Sequence, residues 1–199
     1  MSRPEGLYYV NNVITNTQST KVIEELDRLE WKPLTIKVDT GRLVQQYGYS
    51  FNYHKYGVHE VAPPMPAFIV ELMDRLTEEC KKLGLFKADY LPFNQCIINN
   101  YHPGQGISPH TDYYEFGPLI GCFTLGTGAY MDFTKDKDKF SLYTEPSSLY
   151  IMSGEARDSW MHSMASRQYD EVIDQNGSAQ RINRGRRVSV TFRQVKPKD

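Results

Sequence analysis

The sequence predicts an α+β domain in which helices of the N-terminal half buttress an antiparallel jelly roll formed by the C-terminal half. Helical periodicity is confined to two segments before residue 90. After residue 90 the chain breaks into short strands separated by turns rich in Gly, Pro, Asp and Asn, the spacing of a sandwich or barrel. No repeat and no Ser/Gly/Pro linker divides the 199 residues, so 1–90 (helices and a flap) and 91–199 (jelly-roll core) read as parts of a single domain.

The first helix is expected from a cap at Ser19 or Thr20 to about Leu29, with Val22, Ile23, Leu26 and Leu29 on one face. Residues 35–61 are aromatic and polar without a clean period and suit either a hairpin or a mobile flap. The second helix begins at Pro63, Pro64 and Pro66 and stops at Gly84. Its stripe of Phe68, Ile69, Leu72, Met73 and Leu76 calls for a flat partner such as a sheet. Strands are expected at residues 94–101, 119–125, 129–133, 140–143, 148–153 and 187–195.

A net charge of −1 removes any global electrostatic case for a nucleic-acid partner. A local patch is left open by the run Arg181, Arg184, Arg186, Arg187, Arg193, Lys196 and Lys198, which reads equally well as a solvated face. Cys80, Cys96 and Cys122 are odd in number and widely spaced, which suits free thiols in a reducing compartment. No apolar run nears the ~20 residues that span a bilayer, and the N-terminus has no apolar core of a signal peptide. A cytoplasmic or nuclear location without a membrane partner is the expectation.

Chemistry concentrates in the stretch 99–112. Pro103-Gly104 and Gly106 mark a tight turn, after which the chain runs out extended to His110-Thr111-Asp112. On an extended segment residues i and i+2 point to one side and can grip one ion, whereas on a helix they diverge by about 200°. A lone His-x-Asp is common by chance, so a third ligand decides the matter. His162, in the short stretch Trp160-Met161-His162-Ser163, is the candidate; His54, His59 and His102 lack a partner acid at useful spacing. Two histidines and a carboxylate leave open positions for non-haem iron(II) chemistry, with zinc as the rival metal.

The last strand separates these two. Arg187, Ser189, Thr191 and Arg193 share one face, and Val188, Val190 and Phe192 share the other. A barrel interior that receives a dicarboxylate needs such a row, because guanidinium pairs bidentately with carboxylate and stays charged when desolvated. The alternative is an edge strand with a solvated polar face.

Together, His110-x-Asp112, His162 and the Arg-x5-Arg strand at 187–193 resemble the signature of the AlkB family of oxygenases. Asn99-x-Tyr101 before the turn and Ser153-Gly154-Glu155-Ala156-Arg157 before His162 extend the likeness over about residues 90–195. Within the family, Asn100-Tyr101-His102-Pro103-Gly104-Gln105-Gly106-Ile107, Leu125-Gly126-Thr127, Met131-Asp132-Phe133 and Arg184-Gly185-Arg186-Arg187 most resemble the members that hydroxylate a wobble uridine in tRNA, as does Tyr47-Gly48-Tyr49. The resemblance implies a double-stranded β-helix, iron(II), 2-oxoglutarate and O2. The implied reaction oxidises 2-oxoglutarate to succinate and carbon dioxide while hydroxylating a substrate C–H bond; on an N-methyl carbon it releases formaldehyde. It implies that His110, Asp112 and His162 hold the metal and that Asn99 and Tyr101 contact 2-oxoglutarate. By the same likeness Arg187 takes the distal carboxylate, Ser189 lines that pocket, and Arg193 sits near the chelating end.

Family members that repair methylated adenine or cytosine place an acid two residues after the ligand Asp. Here that position is Tyr114, followed by Glu115, which turns the expectation from repair toward RNA or tRNA modification. Tyr47, Tyr49, Phe51, Tyr53 and Tyr56 nearly alternate, as a base-stacking flap or a packed sheet would. Trp160 is expected as a pocket wall. A protein substrate such as methyl-lysine, and a non-catalytic binding module, remain the rival readings.

Overall fold

The computed structural model describes residues 2–34, 41–173 and 176–197. In the N-terminal half it places β1 (Leu7–Val10), α1 (Asn16–Asp27), β2 (Lys32–Pro33), β3 (Leu43–Tyr47), β4 (Tyr49–Asn52), β5 (Gly57–Val61) and α2 (Ala67–Lys82). There follow β6 (Gln95–Tyr101), β7 (Ile107–His110), β8 (Phe116–Gly126), β9 (Ala129–Lys135), β10 (Asp138–Thr144), β11 (Ser148–Met152) and the short α3 (Gly154–Asp158). The chain ends with β12 (Met161–Met164), β13 (Tyr169–Ile173), β14 (Ala179–Asn183) and β15 (Arg187–Val195). Of the expected flap, residues 35–40 lie outside the described residues, and 41–61 carry β3 and the β4–β5 hairpin.

α1 starts three residues before the expected cap. The Thr15 hydroxyl accepts from the Gln18 N–H at 3.1 Å, and the Gln18 side chain accepts from the Thr15 N–H at 2.9 Å. This reciprocal pair satisfies two orphan donors, and Ser19 is buried inside the helix instead of capping it. Leu29 falls beyond the helix and is 38% exposed. α2 begins at Pro66, which pre-sets φ without surrendering a needed N–H, and ends before Gly84 in the left-handed region at φ +68°.

Two antiparallel sheets make the body. The larger runs β1-β11-β8-β15-β6-β3-β2 and the smaller β10-β9-β12-β7. β15 is therefore a central strand, hydrogen-bonded to β6 and β8 on either side, and all nine of its residues are buried. Val188, Val190 and Phe192 belong to one core cluster with Val22 and Leu26 of α1, Leu72 and Leu76 of α2, and Phe123 of β8. The Leu76 side chain occupies the space that a Cβ on Gly121 would need. Each large aliphatic chain buried this way contributes about 1.5–3 kcal/mol. With its apolar face taken by the helices, the Arg-Ser-Thr-Arg face of β15 turns inward between the sheets. A second cluster, with Ile120, Phe133, Tyr150 and Trp160, fills the rest of that interior.

Tertiary pairing divides the basic run near the C-terminus, leaving Arg181 and Lys196 exposed. Arg184 is buried in a two-pronged pair with Asp170 (2.7 and 2.9 Å). Arg186 pairs with Asp27 at 2.6 and 2.7 Å and donates to Asn100, so folding consumes both charges. Arg187 and Arg193 are buried, Arg181 stacks over Tyr169, and Lys198 lies outside the described residues. All three cysteines are free and buried. Burial pushes the Cys80 thiol up to about 12, which keeps it protonated and unreactive. Among the described residues no helix is long and apolar enough to cross a membrane.

Candidate active site

The turn at 103–106 delivers the first predicted ligands. Gly104 adopts φ +87°, and the His102 N–H is held by the Gln105 side chain at 2.8 Å. A Cβ on Gly106 would run into the Met164 carbonyl oxygen, so the glycine lets β7 lie close against β12. That pairing sets His162 directly opposite His110, with ring centroids 4.3 Å apart. Asp112 lies two residues past the end of β7, is buried, and lines the same space as His110. His54 and His102 are exposed and line no part of that space, and the side chain of His59 is outside the description.

The Asp112 carboxylate is held from one side. Arg193 donates to Oδ1 through Nε at 2.7 Å and through its terminal nitrogen at 2.6 Å. Oδ2 is buried with no hydrogen-bond partner and faces His162 Nε2 at 3.5 Å. His110 Nδ1 lies 2.8 Å from the Ser108 carbonyl; only a protonated Nδ1 can make that bond, so Nε2 carries the lone pair. Burial, then the neighbouring His110, lowers His162 to about 3, and burial also lowers His110. Burial raises the Asp112 carboxyl, but Arg193, His162 and His110 outweigh it and hold the group at about 2. Two neutral imidazoles and a carboxylate with a vacant lone pair are the donor set a divalent iron takes. Among the described residues, no three His, Cys, Asp or Glu side chains already close around a single point.

These shifts predict acid sensitivity of the metal-free chain. An unfolded histidine takes its proton near 6.5 and folded His162 only near 3, so stability falls as pH drops below 6.5. At pH 5.5 His162 alone costs about 1.4 kcal/mol, or roughly 3–6 °C in melting temperature. Melting curves of the wild type and His162→Gln at pH 7.5 and 5.5 check this; equal losses in both proteins contradict it.

Behind the three lies a polar chamber lined by Asn99, Tyr101, Cys122, Met131, Tyr150, Met152, Arg187, Ser189, Thr191 and Arg193 with His110, Asp112 and His162. Antiparallel register builds it: Arg187 sits beside Tyr101 and Ser189 beside Asn99 on β6, while Ser189 faces Thr124 on β8. Arg187 is 4% exposed and donates to the Thr124 hydroxyl at 3.0 Å, leaving Nε without a partner. No carboxylate pairs with this guanidinium among the described residues. A desolvated cation without a counter-ion is costly, and a carboxylate ligand at this point would relieve it.

In front lies a cleft of about 300 Å³ that shares Asn99, Ile107, His110, Asp112 and Arg193 with the chamber. Its walls are Arg42, Phe51, Tyr53, Tyr56, Ile97, Tyr113 and Phe116. The Phe51 ring is central, 5.1 Å from Tyr53, 5.5 Å from Tyr56 and 5.7 Å from Tyr113. Arg42 is buried, donates to Asn99 at 2.9 Å and lies 5.9 Å over the Tyr101 ring.

Of the expected stacking run, Phe51, Tyr53 and Tyr56 line this cleft, and Tyr47 and Tyr49 do not. Tyr47 is packed in the helix-side core, its hydroxyl donating to Gln45 at 2.8 Å, because alternation along β3 turns it away from the interior. Trp160 is core between the sheets and lines neither cavity. Tyr114 projects into solvent, 75% exposed, and its neighbour Tyr113 takes the cleft position. Tyr49 and Glu115 line a separate surface pocket with Val195 and Lys196. Arg42, Thr124 and Tyr113 were not anticipated. Arg42 follows a glycine in an aperiodic stretch, and Thr124 is one apolar-strand residue among many.

The model of the 2OG-Fe(II) oxygenase superfamily matches residues 6–193. The uncharacterized protein L905 of Acanthamoeba polyphaga mimivirus is 32% identical over 96% of this chain and 85% of its own length. The tRNA (carboxymethyluridine(34)-5-O)-methyltransferase alkbh8 of Xenopus tropicalis is 31% identical over 98% of this chain, which spans 32% of that protein. The solved structure of OsALKBH1 superposes with a TM-score of 0.69 at 15% identity, covering 98% of both chains, a likeness of fold.

Proposed function

The chain belongs to the 2OG-Fe(II) oxygenase superfamily, a dioxygenase with AlkB-type relatives that uses iron(II), 2-oxoglutarate and O2, and from that premise we propose that it hydroxylates or oxidatively demethylates a modified base in RNA, tRNA before DNA. The observation that carries the proposal is the pair of joined cavities: a polar chamber ending at Arg187 opens, past His110 and Asp112, into an aromatic cleft. Cosubstrate and substrate thus approach one point from opposite sides.

In this reading His110, Asp112 and His162 hold the iron. The metal, when bound, couples O2 to the decarboxylation of 2-oxoglutarate and to oxidation of a substrate C–H bond. Arg187 receives the distal carboxylate in its planar fork, with Tyr101 beneath it and Ser189 and Thr124 alongside. Asn99 and Arg42 line the passage between chamber and cleft. Arg193 serves the metal through Asp112: by occupying Oδ1 it leaves Oδ2 as the donor. Phe51, Tyr53, Tyr56, Tyr113 and Phe116 exclude water and offer ring faces and edges to an unstacked base. The wobble-uridine enzyme among the relatives supports tRNA as the polymer, although the chain spans only a third of it. The methyl-lysine alternative uses the same rings, since aromatic walls also receive a methylammonium group.

Nucleosides from total tRNA treated with the iron-loaded protein, 2-oxoglutarate and ascorbate are expected to show an oxidised or demethylated base by mass spectrometry. A His110→Ala control should leave them unchanged. Loss of methyl groups from lysine peptides with tRNA unaltered would overturn the nucleic-acid reading.

A further inference from the structure

Arg157 is a buried cation that touches neither cavity. It stands in α3, five residues before His162, and spends its guanidinium on the loop that follows Asp112. Nε donates to the Gly117 carbonyl at 3.2 Å. One terminal nitrogen donates to the carbonyls of Tyr113 at 3.0 Å, Tyr114 at 3.4 Å and Phe116 at 2.6 Å. The other pairs with Asp158 at 2.8 Å, whose own side chain is 61% exposed. Four backbone carbonyls thus converge on the Nε and one terminal nitrogen of a single guanidinium, whose planar, spread donors reach them from two nitrogens where an ammonium has one.

The loop so gathered carries two cleft walls, Tyr113 and Phe116. The Phe116 N–H closes a turn onto the Tyr113 carbonyl at 3.1 Å, the same oxygen that Arg157 holds. Released from Arg157, Tyr113 keeps ring contacts to Phe51, Tyr56 and Phe116, which fix its backbone poorly. Tyr114 at the crest is exposed and adds no packing to the loop. We propose that Arg157 is a positioning residue for the substrate: it fixes the 113–117 loop so that Tyr113 and Phe116 form the outer wall of the cleft, without contact to metal or cosubstrate. This rests on the cleft being the substrate side of the site.

The consequence is a split between substrate and cosubstrate parameters. Arg157→Lys should raise the KM for total tRNA about tenfold, the factor that 1.4 kcal/mol represents. The KM for 2-oxoglutarate and the rate of succinate formation without tRNA should stay within about twofold. Hydrogen exchange in 113–117 should quicken while β15 amides remain protected. Tyr113→Ala should reproduce the tRNA effect, and the double variant should be no worse than Tyr113→Ala alone, because Arg157 acts through that ring. An unchanged KM for tRNA in Tyr113→Ala overturns the proposal whether or not Arg157→Lys folds. So does equal loss of tRNA and 2-oxoglutarate affinity in Arg157→Lys, which marks a merely structural role. If the wild type leaves tRNA untouched, the substrate reading fails, and exchange in the 113–117 loop decides for or against Arg157.

Discussion

Replacing Arg187 by Met is expected to weaken 2-oxoglutarate binding while making the empty protein more stable. The two effects have one cause. The Arg187 guanidinium is 4% exposed, bonds one hydroxyl and leaves Nε unsatisfied. Such a group is unfavourable in the empty chamber and favourable once a carboxylate sits on it. Losing one partner of a buried charge-assisted pair costs about 2–5 kcal/mol of affinity, or roughly 30- to 5,000-fold. An apolar chain of similar volume removes that desolvation cost and is expected to raise the melting temperature. Calorimetric titration with 2-oxoglutarate and thermal melts of both proteins measure the two signs. A variant that binds 2-oxoglutarate normally removes Arg187 from the role proposed for it.

Substitutions at Asp112 and His162 should both abolish metal binding yet differ in stability. Asp112→Ala leaves the buried Arg193 without the carboxylate it grips at 2.6 and 2.7 Å, and breaking a buried pair from one side costs about 3–5 kcal/mol. His162→Ala removes an imidazole already held neutral by burial and leaves the Arg193–Asp112 pair intact. Asp112→Ala should therefore melt well below His162→Ala, and neither should bind Co(II), a spectroscopic substitute for iron, in a titration that the wild type saturates. Equal melting temperatures would show that the pair contributes little.

Local alternation made much of this legible. The polar and apolar faces of residues 187–193 were readable because a strand has a period of two, and they point as that period requires, one toward the helices and one inward. The spacing of His110 and Asp112 was readable for the same reason, although Asp112 lies just past the strand end. What could not be read are facts of register between distant segments. His162 owes its place to pairing opposite His110 across the 51 intervening residues, held close by Gly106. Tyr47 reads as a base-stacking side chain and Trp160 as a pocket wall, yet the sheet turns one toward the helices and seals the other between sheets. The arginine run looked like one patch, and tertiary pairing divides it among Asp170, Asp27, Asp112 and the chamber. Arg42 and Arg157 act through carbonyls and amides of segments far off in sequence, which no local pattern announces.

The central claim is that one point between chamber and cleft brings together metal, cosubstrate and substrate. Succinate formation from 2-oxoglutarate with iron(II) and O2, with and without tRNA, tests it most directly in the wild type, His162→Ala and Arg187→Met. The account predicts slow succinate formation by the wild type alone, faster formation with tRNA, none above background in His162→Ala, and a rate in Arg187→Met that falls with its lost affinity at sub-saturating 2-oxoglutarate. Succinate at the wild-type rate from His162→Ala, or none from the iron-loaded wild type under any condition, would contradict it.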